Sequence, residues 1–273
     1  MGEAGTEEIV FSGSTLFGHC MTGIVYLLLP VGVCLLLRRY KALQLLPLVF
    51  GAGIWFLFTR LDDLFVLAAY SGFPRSAQVV AASLWAGIFE EIGRFLVIYP
   101  SEGLISSDAS ALSYGAGHAG LECLSRAVRS FEVFRTGLRY NAEGLVSFTD
   151  GRTEERAAQI TEQLSYYAHQ TLPGSMLVQI NAAAAVLVHV ALSLLLFRGI
   201  RNGKPKRTLA LAIGLHYGLN ALSWLASFSE SAACTALAGI VCSAGILWLI
   251  IKVTDGSAVL RNLRHPDTET IIE

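Results

Sequence analysis

Seven stretches of this chain are apolar over a length that can cross a bilayer, approximately 15–37, 42–69, 77–99, 109–126, 175–197, 208–228 and 231–252. Nothing else in the sequence constrains the fold as strongly. Backbone N–H and C=O groups in hydrocarbon have no water to bond, so runs of this length fold as helices. The expected architecture is therefore all-α: a multi-pass bundle of about seven spans, integral to a membrane, here the cytoplasmic membrane. Composition agrees, with 53% hydrophobic and 15% charged residues against roughly 25% charged in soluble domains. The fourth run is the shortest and is rich in Gly, Ala and Ser. Gly115, Gly117 and Gly120 let such a helix pack closely against its neighbours.

Basic residues set the expected orientation. Arg38, Arg39 and Lys41 follow the first run, Arg198, Arg201, Lys204, Lys206 and Arg207 lie between the fifth and sixth, and Lys252, Arg261 and Arg264 follow the seventh. With seven spans these clusters share one side. That side is the cytoplasm, so the C-terminus is cytoplasmic and the acidic N-terminus (Glu3, Glu7, Glu8) lies outside. The hydrophilic segment 127–174 falls outside too, despite five arginines among residues 129–156, because long loops weigh little in this rule. A net charge of −1 gives no reason to expect nucleic acid as a partner.

The chain is expected to be a single membrane-embedded domain, 1–273, with 127–174 as a hydrophilic insertion. The insertion reads as one or two short amphipathic helices around the turn Thr149-Asp150-Gly151. The run Thr153-Glu154-Glu155-Arg156 starts a helix, and Pro173-Gly174 closes the segment. Its expected role is a solvated connector. The start Met-Gly-Glu-Ala-Gly-Thr fits the bare myristoylation pattern, from which a polytopic protein gains little. No basic n-region or cleavage site precedes the first run, so that run is expected to be retained. Cys20, Cys34, Cys123, Cys234 and Cys242 lack metal-finger or redox spacing and read as packing residues.

Ionisable groups interrupt the apolar runs. Glu90, Glu91 and Arg94 lie in the third, His118 in the fourth, His189 in the fifth and His216 in the sixth. Each such group costs several kcal/mol at the bilayer centre, roughly 2.5–3.5 on insertion scales, and so marks a candidate functional site. With the topology above, Glu90, His118, His189 and His216 all fall roughly 12–14 Å below the cytoplasmic boundary, at about 1.5 Å per residue. A second polar residue lies four positions on from each, on the same helix face: Glu90/Arg94, His118/Glu122, His189/Ser193 and His216/Asn220. Any one of these histidines alone is ordinary as a packing residue. Four costly groups at one depth on consecutive spans are what a buried shared site requires. His19 reads as structural, His169 and His265 as solvated, and Arg60, Asp62 and Asp63 as an interfacial charge cluster.

Three imidazoles and a carboxylate suit two hydrolytic mechanisms. Histidines can hold Zn²⁺ while Glu90 acts as general base, or Glu90 can activate water without metal while an imidazole stabilises the oxyanion. The zincin helix H-E-x-x-H, the serine-hydrolase elbow and phosphate-binding glycine loops are all absent from the sequence.

The ordered motifs Glu90-Glu91-Ile-Gly-Arg94, Tyr114-Gly-Ala-Gly-His118-Ala-Gly-Leu-Glu122, His189 with Ser193, and His216 with Asn220 resemble the YhfC-type membrane peptidases. These are similar to the superfamily of CAAX prenyl proteases and PrsW-type proteases. The resemblance covers roughly 77–220 and implies an intramembrane protease acting on a membrane protein or peptide. It implies Glu90 as the base, with Glu91 and Arg94 ordering the site. His118 and His216 (with Asn220) would bind metal or stabilise the oxyanion. The expected catalytic set is therefore Glu90, Glu91, Arg94, His118, His216 and Asn220, and the expected metal set is His118, Glu122, His189 and His216. Arg94 follows the Glu pair by three residues where the CAAX-type pattern has four. A non-catalytic scaffold or chaperone of the same fold is the main alternative, followed by a proton-coupled transporter.

Overall fold

The structure is a computed structural model describing residues 9–100, 103–227 and 232–254. Glu3, Glu7, Glu8, the myristoylation-like start, Arg261, Arg264, His265 and the side chain of Cys234 lie outside the described residues. The described residues form helices and no strand: α1 (Gly13–Arg39), α2 (Leu45–Tyr70), α3 (Arg75–Ile98), α4 (Asp108–Glu143), α5 (Val146–Thr149), α6 (Glu154–Ala168), α7 (Leu172–Arg201), α8 (Pro205–Ser227) and α9 (Ala232–Val253). The seven expected apolar runs fall on the seven long helices. Among the described residues, length and hydropathy alone qualify α1, α2 and α7 as membrane spans. In α3 and α4 charged residues interrupt the apolar character.

The sequence reading ended the fourth helix at 126, but α4 continues to Glu143. No proline interrupts it, and Arg, Ala, Glu and Leu are good helix formers even where they face water. Gly144 stops it with a positive φ of 74°, its N–H bonded to the carbonyl of Tyr140 at 2.8 Å, as a C-terminal glycine does. The hydrophilic segment is thus the end of α4 followed by α5 and α6. Gly151, at φ 66°, makes the turn before α6. Thr153 caps that helix by accepting from the Arg156 N–H, and Glu154 and Glu155 complement its positive end. Pro173 sits in the first turn of α7, where a missing N–H costs nothing.

The chain divides into two compact units, residues 1–27 with 125–179, and residues 28–124 with 180–273. The first is built on Phe11, Leu164 and Ala168. Asn141 holds the chain at Phe11 by accepting from its N–H (3.2 Å) and donating to its carbonyl (2.7 Å). The second has a larger core that includes Ile98, Tyr114, Val188, Leu192, Leu195 and Ile250. Within it α3 lies between α2 and α8, and α8 packs on α9.

Close backbone approaches in this second unit depend on glycine. A Cβ on Gly117 would run into the Leu48 carbonyl, and one on Gly51 into the Tyr114 carbonyl, so α2 and α4 touch backbone to backbone. A Cβ on Gly115 would lie 2.7 Å from the Val190 Cα of α7, and one on Gly87 only 3.1 Å from the Tyr217 N of α8. Small residues let helices meet at such distances where no hydrophobic force drives them together. Gly117→Val should therefore destabilise the detergent-solubilised protein by about 1–3 kcal/mol or more through overpacking, and so lower its melting temperature. Gly53→Ala, in open space on the same helix pair, should leave it unchanged.

Candidate active site

Four helices of the second unit deliver the site: α3 brings Glu90, Glu91 and Arg94, α4 brings His118 and Glu122, α7 brings His189 and Ser193, and α8 brings His216 and Asn220. Successive helical residues point about 100° apart, so the two adjacent glutamates reach different neighbours. Glu90 Oε2 lies 2.9 Å from His118 Nε2 on α4, while Glu91 Oε1 lies 2.9 Å from His216 Nδ1 on α8. The imidazoles form a chain, with ring centroids 5.0 Å apart both from His118 to His189 and from His189 to His216. Glu90, Glu91, Arg94, His118, His189 and His216 are all buried.

Arg94 is the hub. Its guanidinium is fully enclosed, with Nε 3.1 Å from Glu91 Oε2. Nη1 donates to the His189 carbonyl at 2.8 Å and to the Ser193 hydroxyl. Nη2 lies 3.3 Å from His118 Nε2 and 3.4 Å from His189 Nδ1. The three-residue spacing from Glu91 puts both side chains on one face of α3.

For two of the three imidazoles the partners dictate which nitrogen carries hydrogen. An ionised carboxylate only accepts and a guanidinium only donates. His189 Nε2 faces Glu122 Oε2 at 3.0 Å and so donates to it. That leaves Nδ1 as a bare lone pair turned toward Arg94 and 4.0 Å from Glu90 Oε2. His216 likewise gives its Nδ1–H to Glu91. His118 Nε2 faces both Glu90, at 2.9 Å, and Arg94, at 3.3 Å: as an N–H it donates to the carboxylate, and as a lone pair it accepts from the guanidinium. The Nδ1 of His118 has no hydrogen-bond partner among the described residues.

One donor atom each from Glu90, His118 and His189 lies within 4.8 Å of the others, among the described residues a group able to hold a metal ion. Two imidazoles and a carboxylate suit zinc. The Glu122–His189 contact, 3.0 Å, has the form of the carboxylate–imidazole pairs that orient histidines at metal sites. The residues present therefore fit a metal. Of the four expected ligands, His118 and His189 belong to this group, Glu122 braces His189, and His216 is bonded to Glu91. Asn220 donates to the Ser83 carbonyl of α3 at 2.8 Å, tying α8 to α3. Tyr114, one turn before His118, is buried with its hydroxyl unpartnered among the described residues.

Asp62 differs from the sequence reading. Arg60 and Asp63 do form an exposed ion pair at 3.1 Å, but Asp62 is buried, with Oδ1 lacking a hydrogen-bond partner among the described residues. It shares the buried stripe of α2 with Gly51, Trp55 and Val66, and that helical phase was the available signal. His19, expected to be structural, sits in the first unit with Nε2 3.3 Å from the Tyr167 carbonyl. His169 is exposed as expected. Among the described residues, Cys20, Cys34, Cys123 and Cys242 form no disulfide.

Long apolar helices with ionisable groups gathered among them define a multi-pass integral membrane protein whose polar chemistry is internal. The family described as YhfC intramembrane metalloprotease matches residues 25–241, and the chain belongs to it. It is also 26% identical over 244 residues to the "Uncharacterized membrane protein YhfC" of Bacillus subtilis (strain 168), covering 84% of this chain and 93% of that protein. No solved structure matches.

The enclosed ion pair generates a stability contrast. Glu91→Ala leaves the Arg94 guanidinium buried without its carboxylate and should cost about 3–5 kcal/mol. Asp63→Ala removes only an exposed partner and should cost less than about 1 kcal/mol. Chemical unfolding of the purified variants in one detergent measures both.

Proposed function

We propose that the chain is an intramembrane peptidase of the metal-dependent type, hydrolysing a peptide bond in a membrane-inserted protein or peptide. The convergence of Glu90, His118 and His189 inside apolar helices carries this reading. His118 and His189 would hold the metal with Glu90 beside them, and the metal would supply Lewis-acid polarisation and a more acidic water. Glu90 is the proton acceptor for the attacking water: its side chain keeps 10% exposure, whereas Glu91 has none. Its carboxylate then passes that proton to the departing amine. Glu91 and Glu122 hold His216 and His189 in orientation. Arg94 supplies fixed positive charge beside the carboxylates, and His216 closes the imidazole row. Membership of a metalloprotease family supports the reaction class. The proposed topology is seven spans with the basic clusters cytoplasmic.

A second reading has one observation in its favour. Arg94 Nη2 already faces the two imidazole nitrogens that a metal would take. If the guanidinium stays there, the site works as a glutamate–water hydrolase without metal, and Arg94 is the electrophile.

Metal analysis of the purified protein separates the two. About one zinc per chain, absent from His118→Ala/His189→Ala, supports the first reading, and no zinc in either protein supports the second. On the first, Glu122→Ala should weaken zinc binding about 10–100-fold, measured by competition with a chelating dye. On both, Glu90→Gln should reduce cleavage of a transmembrane peptide library by about 10²–10⁴. Unchanged cleavage would remove Glu90 from the chemistry.

A further inference from the structure

The first unit holds a cavity of about 720 Å³ that the peptidase chemistry does not use. Arg129 and Arg139 reach it from α4, and Arg152 from the turn before α6, with Glu132 as the single opposing charge in its lining. Three guanidinium groups face one concave space, where a phosphate is recognised through several N–H donors at once. Two of these arginines are held in place. Arg129 Nη2 lies 3.4 Å from the Tyr167 hydroxyl. Arg139 is bonded through Nε to Glu143 at 2.7 Å and sits 4.8 Å over the Phe148 ring.

The cavity is too large for a phosphate ion and falls within the range of sites for amphiphilic small molecules. Its walls are also mixed in character. Val133 and Leu164 are buried in its floor, and Phe148 and Ile160 add apolar surface beside the arginines. Exposed Val128, Val146 and Tyr166 extend this apolar character across the unit's surface. Basic donors beside apolar and aromatic surface complement a headgroup joined to hydrocarbon.

We propose that this cavity is a binding site for an anionic phospholipid, its phosphate held by Arg129, Arg139 and Arg152 and its glycerol and first methylenes lying on Phe148 and Leu164. An integral membrane protein meets such lipids at high local concentration, and a bound lipid would tie the hydrophilic segment to the bilayer surface.

Native mass spectrometry of the full-length protein, titrated with short-chain phosphatidylglycerol, phosphatidylcholine or inorganic phosphate, tests this. Phosphatidylglycerol should bind at least about tenfold more tightly than phosphatidylcholine, and Arg129→Ala/Arg152→Ala should erase most of that preference. Arg129→Lys/Arg152→Lys should retain part of it. Arg60→Ala, an exposed arginine of the second unit, should retain all of it. The unliganded melting temperature of each variant reports its folding. Equal binding of the two lipids, a preference unaffected by the double alanine variant, or inorganic phosphate competing as well as the lipid would each overturn the proposal.

Discussion

A guanidinium with no exposure to water, in the middle of apolar helices, dictates how the second unit is assembled. Arg94 cannot be deprotonated, so its charge has to be met by the protein around it. Glu91, the His189 carbonyl and the Ser193 hydroxyl meet it from α3 and α7. The imidazoles of His118 and His189 complete the surround from α4 and α7. Each of these groups is in turn committed elsewhere: Glu91 to His216, His118 to Glu90, His189 to Glu122. Removing one member exposes the next to hydrocarbon without a partner, so the network specifies one arrangement of four helices.

Glycine makes this geometry reachable. Side chains as short as Glu and His span only a few ångströms, so their helices have to approach closely. The contacts of Gly51 and Gly117 between α2 and α4, of Gly115 with α7 and of Gly87 with α8 bring the backbones together beside the polar residues. The same positions that allow packing in lipid therefore place His118 and His216 within reach of the α3 carboxylates. Packing and chemistry share these residues, which is why the small-residue helix α4 is also a site helix.

Much of the fold was legible because a bilayer makes hydropathy a direct readout of helical segments. Glu90, His118, His189 and His216, taken from four separate runs, lie together in the structure. Pairings were less legible. Residues four apart share a face, but which neighbour each face meets depends on helix order and rotation. So Glu91 finding His216, Glu122 finding His189 and Asn220 finding the Ser83 carbonyl could not be read from spacing. Asp62 was misjudged because its charged neighbours Arg60 and Asp63 suggested an exposed cluster. Its phase with Trp55 and Val66 in α2 outweighs that company. The extension of α4 to Glu143 was hidden by the change from apolar to charged residues near 126, which alters what the helix faces without breaking it.

The proposed metal centre takes its two imidazoles, His118 and His189, and the Glu90 carboxylate beside them from three different helices. X-ray absorption at the zinc edge, on zinc-loaded protein in detergent, addresses the ligands themselves rather than their effect on activity. The account predicts a light-atom shell at about 2.0–2.1 Å with the outer scattering of two imidazoles, reduced to one in His189→Ala. A sulfur shell near 2.3 Å, or a spectrum unchanged by loss of His189, would place the metal elsewhere and contradict the account.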